Sequence, residues 1–211
     1  MGFNQISFFF LLSLFITSCS TLKRDAKDNK QSAFTVEERN RILEGSVDEP
    51  MRVYQITNRS DSLLLRKTSR DVDFDKDTLV LRLFLKRLKE TVVDPKSMGV
   101  GIAAPQVGVL SNIIWLQRFD KEGFPWECII NPKIVTYSDE KQVCPEGCLS
   151  IPEKTAITKY RSKSIIVKYQ NIYGIEMQEE VSDFTSVIFQ HEIDHLNGIL
   201  FIDHLEKELS K

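Results

Sequence analysis

An α+β fold is predicted for this 211-residue chain by three features. Residues 77–93 place Leu81, Leu85, Leu88 and Val92 at the spacing of one helical face. Between residues 112 and 181, short β-branched and aromatic runs are separated by Gly, Pro, Asn and Asp. A second helical stretch follows at 184–196, apolar on two sides. Short strands set between helices are the pattern of the α+β class.

At 42% hydrophobic residues the chain can bury one sizeable core, and no internal repeat divides it. Lys and Arg total 28 against 30 Asp and Glu, a formal net charge of -2. No electrostatic excess draws the molecule as a whole to nucleic acid, so that partner is not expected.

The first element is an uncharged apolar run, Ile6 to Ile16, followed by Thr17, Ser18 and Cys19. Its length suits a signal h-region rather than a bilayer span. Ile16-Thr-Ser-Cys19 resembles the lipobox of bacterial lipoproteins, in which the cysteine is acylated. The lack of Lys or Arg in Met1 to Gln5 runs against a signal, and the plain alternative is an apolar core segment. The expected organisation is a signal peptide with lipobox at 1–19, a polar tether at 20–50 containing one short helix from Thr35 to Leu43, and a folded domain at 51–211. This predicts a lipid-anchored protein of the cell envelope; a start near Met51 would instead give a cytoplasmic one.

Met51 to Ile56 reads as a short strand opening the folded unit. Asp77 to Val93 reads as an amphipathic helix with Asp75 or Asp77 as cap and Pro95 beyond its end. Strands are expected at Asn112–Leu116, Glu127–Ile130, Lys133–Tyr137, Ser164–Tyr169 and Glu176–Val181. The last helix runs from Phe184, with Asp183 as N-cap, to Leu196, with Gly198 as its stop. Phe184, Ile188, His191 and His195 share one stripe while Phe189, Ile193 and Leu196 form another, so both histidines point inward. There each needs a hydrogen bond or a metal to offset desolvation.

His191-Glu-Ile-Asp-His195 is an H-E-x-x-H pattern, whose histidines one turn apart can chelate one divalent ion. Glu192 lies about 100° further round the helix, where a carboxylate reaches water beside the ion without binding the ion itself. Cys148, in Cys144-Pro-Glu-Gly-Cys-Leu-Ser150, offers a thiolate as third ligand, and one Cys with two His suits zinc or ferrous iron. Three protein ligands leave a position open, the catalytic rather than the structural arrangement. Gly99-Val-Gly-Ile-Ala-Ala-Pro-Gln106 lets a substrate backbone approach closely.

Together, Gly-Val-Gly-Ile-Ala-Ala-Pro-Gln106, Glu-Gly-Cys-Leu-Ser150 and Gln190-His-Glu-Ile-Asp-His-Leu196 resemble, in order, the three signature motifs of the peptide deformylase family, over about Met51 to Leu205. The resemblance implies antiparallel sheets packed around a central metal-binding helix. It also implies ferrous iron, replaceable by zinc or nickel, one ion per chain, and hydrolysis of the formyl amide of N-formylmethionyl peptides or nascent chains. In that scheme Cys148, His191 and His195 hold the metal, Glu192 is general acid and base, and the Gln106 amide and the Leu149 backbone N–H meet the oxyanion. Gly99, Val100 and Gly101 pair with the substrate backbone, and Val100 and Val187 line the methionine pocket.

Two departures stand out. The run from Glu153-Lys-Thr155 does not align with the family until Ser164, and Cys144 precedes Cys148 by four residues; it reads as a buried thiol, with a disulfide between the two as the alternative in an oxidising envelope. Asp194 is expected to orient the helix or an arginine, or to form a surface salt bridge. Two other functions fit parts of the pattern. A different zinc peptidase would draw its third ligand from downstream, where only Asp203, His204, Glu206 and Glu208 remain. An envelope-anchored protein could bind formyl peptides without turnover.

Overall fold

The computed structural model describes residues 1–2 and 33–209. The expected signal and lipobox at 1–19, apart from Met1 and Gly2, and the tether at 20–32 lie outside them. Helix α1 (Val36–Leu43) is followed by α2 (Arg59–Leu65) and α3 (Thr78–Val93). Then come β1 (Gly101–Ala103), a 3-10 turn (Ala104–Val107), β2 (Ile113–Gln117), β3 (Trp126–Tyr137), β4 (Lys141–Cys148), β5 (Ile151–Ser162), β6 (Ser164–Gln170) and β7 (Glu176–Ser182). Helices α4 (Asp183–Leu196) and α5 (Phe201–Leu209) close the order.

All strand pairs are antiparallel, in one five-stranded sheet of order β1-β2-β3-β6-β7 and one two-stranded sheet of β4 and β5. The α+β class follows as expected. The large sheet is clad on both faces. Ile102, Ile113, Trp115, Cys128 and Ile130 pack against α3 through Phe84, Leu85 and Leu88. Ala103, Ile114, Leu116, Ile129, Ile165 and Val167 face the other way and pack against α4 through Ile188, Phe189, Ile193 and Leu196. This is the period-two alternation of a strand, used to build two cores. Helix α4 sits between that sheet and the β4-β5 hairpin, so nearly all of it is buried.

Several expectations need correction. Residues 33–50, expected as the end of a tether with one short helix, carry that helix and pack on the domain: Thr35 caps α1 through a capping box with Glu38, and Phe34 and Ile42 are buried in the α3 core. Glu38 pairs with Arg70, Arg39 with Asp77, and Arg87 donates to the carbonyls of Arg41, Ile42 and Glu44 at the end of α1. That composition reads as polar because only one face of α1 is apolar. Met51 to Ile56 forms no strand; its Tyr54 and Ile56 N–H groups donate to the Gln106 and Ser150 carbonyls instead.

The strands expected at Glu127–Ile130 and Lys133–Tyr137 are one strand, β3, with a register shift beside Asn131, which takes φ 52°. β4 and β5 were not foreseen, nor were α2 and α5. The N-cap of α4 is Ser182, with Asp183 its first residue. Gly198 does stop α4, at φ 72°, where a Cβ would strike the Arg66 carbonyl.

If residues 33–50 belong to the folded unit, Ile42→Ala should lower unfolding free energy by about 2–4 kcal/mol, the range for an emptied core aliphatic. Denaturant melts of the full chain measure this, and an unchanged midpoint would return the segment to a tether.

Candidate metal centre

Helix α4 is buried between two sheets, so it presents its polar side chains to the interior. His191, Glu192 and His195 are all buried there, and Cys148 reaches them from the last residue of β4. One nitrogen of each histidine and the Cys148 sulfur lie within 4.8 Å of one another. The Cys148 Sγ is 3.1 Å from His195 Nε2. Cys148 therefore sits at a strand end.

The strand period explains a residue that sequence reasoning passed over. Glu146 and Cys148 are two apart on β4 and so share a face. Glu146 Oε2 lies 2.8 Å from His191 Nδ1. Because a carboxylate only accepts, Nδ1 carries the hydrogen and Nε2 is left for the ion. Arg161 of β5 holds the same carboxylate with two bonds, at 3.0 and 2.9 Å, and Thr158 donates to it at 2.5 Å. Arg161 also pairs with Asp194 at 2.6 Å, which settles Asp194 as an arginine partner; His204 Nε2 meets Asp194 at 2.9 Å. Burial alone would raise the Glu146 carboxyl, but His191 and Arg161 hold it well below the usual carboxylate range. The i, i+2 spacing puts Glu146 on the same strand face as Cys148, but its contacts to His191 and Arg161 depend on how β4, β5 and α4 pack together.

Glu192 is the opposite case. Burial pushes its carboxyl up to about 7, only partly offset by His191 and Arg161, and its Oε2 has no hydrogen-bond partner. A buried carboxylate without partners costs stability, so its persistence points to use. Gly101 makes room for it: a Cβ there would lie 2.5 Å from Glu192 Oε1. Burial holds His195 well below the ordinary histidine value and hence neutral, the form that binds a cation, and its Nδ1 also lacks a partner. His191 moves the other way: burial opposes its charge, but the Cys148 sulfur and Glu146 raise it well above the usual value.

Gln106 reaches the same place from the 3-10 turn. Its Oε1 accepts from the Ala103 N–H at 2.8 Å, and its Nε2 lies 3.2 Å from Ser150 Oγ and 3.7 Å from Cys148 Sγ. A cleft of about 410 Å³ opens over these groups, lined by Gly99, Val100, Gly101, Gln106, Cys148, Leu149, Val187, His191 and Glu192, among others. The fold thus gathers the sequence-selected site residues around one cleft, with His195 just beneath it. Phe184, expected on the buried stripe, is 40% exposed at the cleft rim.

One Cys and two His gathered in this way fit a borderline-soft divalent ion. Cys144 is a buried free thiol, and the disulfide to Cys148 raised as an alternative does not form. Four residues of strand span about 13 Å, well beyond the roughly 7 Å limit between bridged Cα atoms.

A family model described as polypeptide deformylase matches residues 53–211. A peptide deformylase of Desulfotalea psychrophila is 39% identical over 157 residues, 74% of this chain and 89% of that protein. The crystal structure of peptide deformylase from Thermotoga maritima superposes with a TM-score of 0.64 at 36% identity, covering 74% of this chain and 97% of that one. A class I type b peptide deformylase from Acinetobacter baumannii with Met-Ala-Ser bound gives 0.65 at 28% identity, over 74% and 98%.

Glu146→Gln keeps the shape of the side chain but weakens its hold on His191 and Arg161. It should reduce metal affinity about 10- to 100-fold, read by competition with a chromogenic chelator; unchanged affinity would reduce Glu146 to a structural residue.

Proposed function

Since this chain belongs to the polypeptide deformylase family, we propose how its own residues carry out the family's reaction, hydrolysis of the N-formyl group from formylated peptides. The enzyme is a metal-dependent hydrolase. The observation that carries the assignment of roles is the grouping of Cys148, His191 and His195 beside the unpartnered Glu192 carboxylate at the floor of one cleft. Those three residues hold the ion. When bound, it polarises the formyl carbonyl as a Lewis acid and makes water more acidic.

Glu192 takes the proton of the attacking water on its carboxylate and gives it to the departing amine, leaving formate and a free N-terminus. A carboxyl held near neutrality by burial suits both halves of that exchange. The Gln106 Nε2, aimed by the bond from the Ala103 N–H to its Oε1, and the Leu149 N–H serve as oxyanion donors. The substrate backbone lies along Gly99 to Gly101 as an added strand, with the methionine side chain against Val100 and Val187. Ferrous iron is the proposed native ion, with zinc or nickel as substitutes, in keeping with the thiolate and imidazole donors.

For location we propose a lipid anchor at Cys19 in the cell envelope. The lipobox-like run supports it, and so does the packing of Phe34 and Ile42, which a start at Met51 would remove.

Full-length protein loaded with ferrous iron without oxygen should release formate from formyl-Met-Ala-Ser. Glu192→Ala should keep one equivalent of metal and lose turnover; turnover near wild type would remove Glu192 from the mechanism. Gln106→Ala should cost on the order of a hundredfold or more in kcat. Expressed from its own gene, the Cys19→Ala variant should leave the membrane fraction, and its full retention there would count against the anchor.

A further inference from the structure

One exposed lysine stands among the described residues of the cleft rim. Among the residues that line the cleft, Lys154 alone is a lysine or arginine. It is exposed, and its ammonium makes no hydrogen bond or ion pair among the described residues. The backbone puts it there. Cys148 pairs with Ile151, but the preceding Gly147 pairs with Thr155, so Pro152, Glu153 and Lys154 are extra residues on the β5 side. Glu153 takes φ 59° within this bulge. Bulges beside sites re-aim side chains that a regular ladder would turn elsewhere, and here the bulge leaves Lys154 among the residues that line the cleft. Other rim residues, Met98 at 89% exposure and Phe184, are apolar.

We propose that Lys154 is a specificity residue that binds a carboxylate on the peptide just downstream of the formylated methionine. The inference rests on the deformylase reading and names the substrate class it serves. A peptide laid along Gly99 to Gly101 advances about 3.3 Å per residue, and a cleft of about 410 Å³ holds only its first few residues. A carboxylate within that reach is either the C-terminus of a short free peptide or an Asp or Glu side chain. A growing chain has no free C-terminus there. Short formylated peptides arise from peptide-bond hydrolysis of longer formylated chains, so a proteolytic reaction supplies this substrate. Glu153 stands next to Lys154 and repels the same carboxylate, which keeps the preference modest.

The test compares kcat/KM of the full metal-loaded chain for formyl-Met-Ala-Ser with a free C-terminus, its C-terminal amide, and formyl-Met-Ala-Asp amide. The acid-to-amide ratio should be about 2 to 5, the range of an exposed ion pair, carried by KM and shrinking with added salt. In Lys154→Gln it should fall to about 1, in Lys154→Glu below 1, and Lys154→Arg should restore it. A preference for the Asp amide instead of the free acid assigns the side-chain source. Turnover of the amide with a wild-type ratio near 1, or a ratio that survives Lys154→Gln, overturns the inference and leaves the family activity standing. Turnover of none of the three substrates overturns both.

Discussion

The Glu146 carboxylate is the point at which the fold and the site become one problem. It accepts from His191 on α4 and from Arg161 and Thr158 on β5, while itself lying on β4. A buried carboxylate and a buried guanidinium are tolerable only when each is fully partnered. Here that condition fixes how the β4-β5 hairpin docks on α4. Docked so, β4 also delivers Cys148 to His195, and the same arginine passes on to Asp194 and His204. Remove the carboxylate and the helix loses both its orientation and its third metal ligand's frame.

Glu192 follows the reverse logic: it is left without a partner at Oε2 and therefore close to its point of proton exchange. The surroundings spare it crowding rather than satisfying it. Gly101 withholds a side chain where a Cβ would collide, and the short β1 strand places that glycine opposite Leu116 in the large sheet. One element thus clears space for a proton carrier while its neighbour, Gln106, is pinned through Ala103 to face the same cleft.

The N-terminal part of the described chain adds a constraint on how the enzyme is presented. Residues 33–50 are bound into the α3 core by Phe34, Ile42 and the Arg87 contacts to the end of α1. The chain therefore joins the domain at α3, whose other flank packs on the sheet. Any anchor upstream acts through Ala33, whose N–H is tied to Asp77 at the start of that helix.

The sequence by itself determined the class of fold, the two main helices, most strands of the large sheet, and the choice of Cys148, His191, His195, Glu192 and Gln106 as the candidate site, which the structure brings together. These were legible because they depend on local periodicity or on residue types whose spacing has chemical meaning, as in His191-Glu-Ile-Asp-His195. The β4-β5 hairpin was not legible, since the inward positions of β4 hold Gln142, Cys144, Glu146 and Cys148 in place of an apolar series, and Pro145 sits within it, tolerated because the sheet has only two edges and no centre. Nor was the membership of residues 33–50, whose single apolar face means nothing until α3 is there to receive it. Tertiary structure alone decided the role of Glu146 and the aim of Lys154, because both depend on which strand lies opposite, and pairing between distant segments leaves no periodic trace in either one.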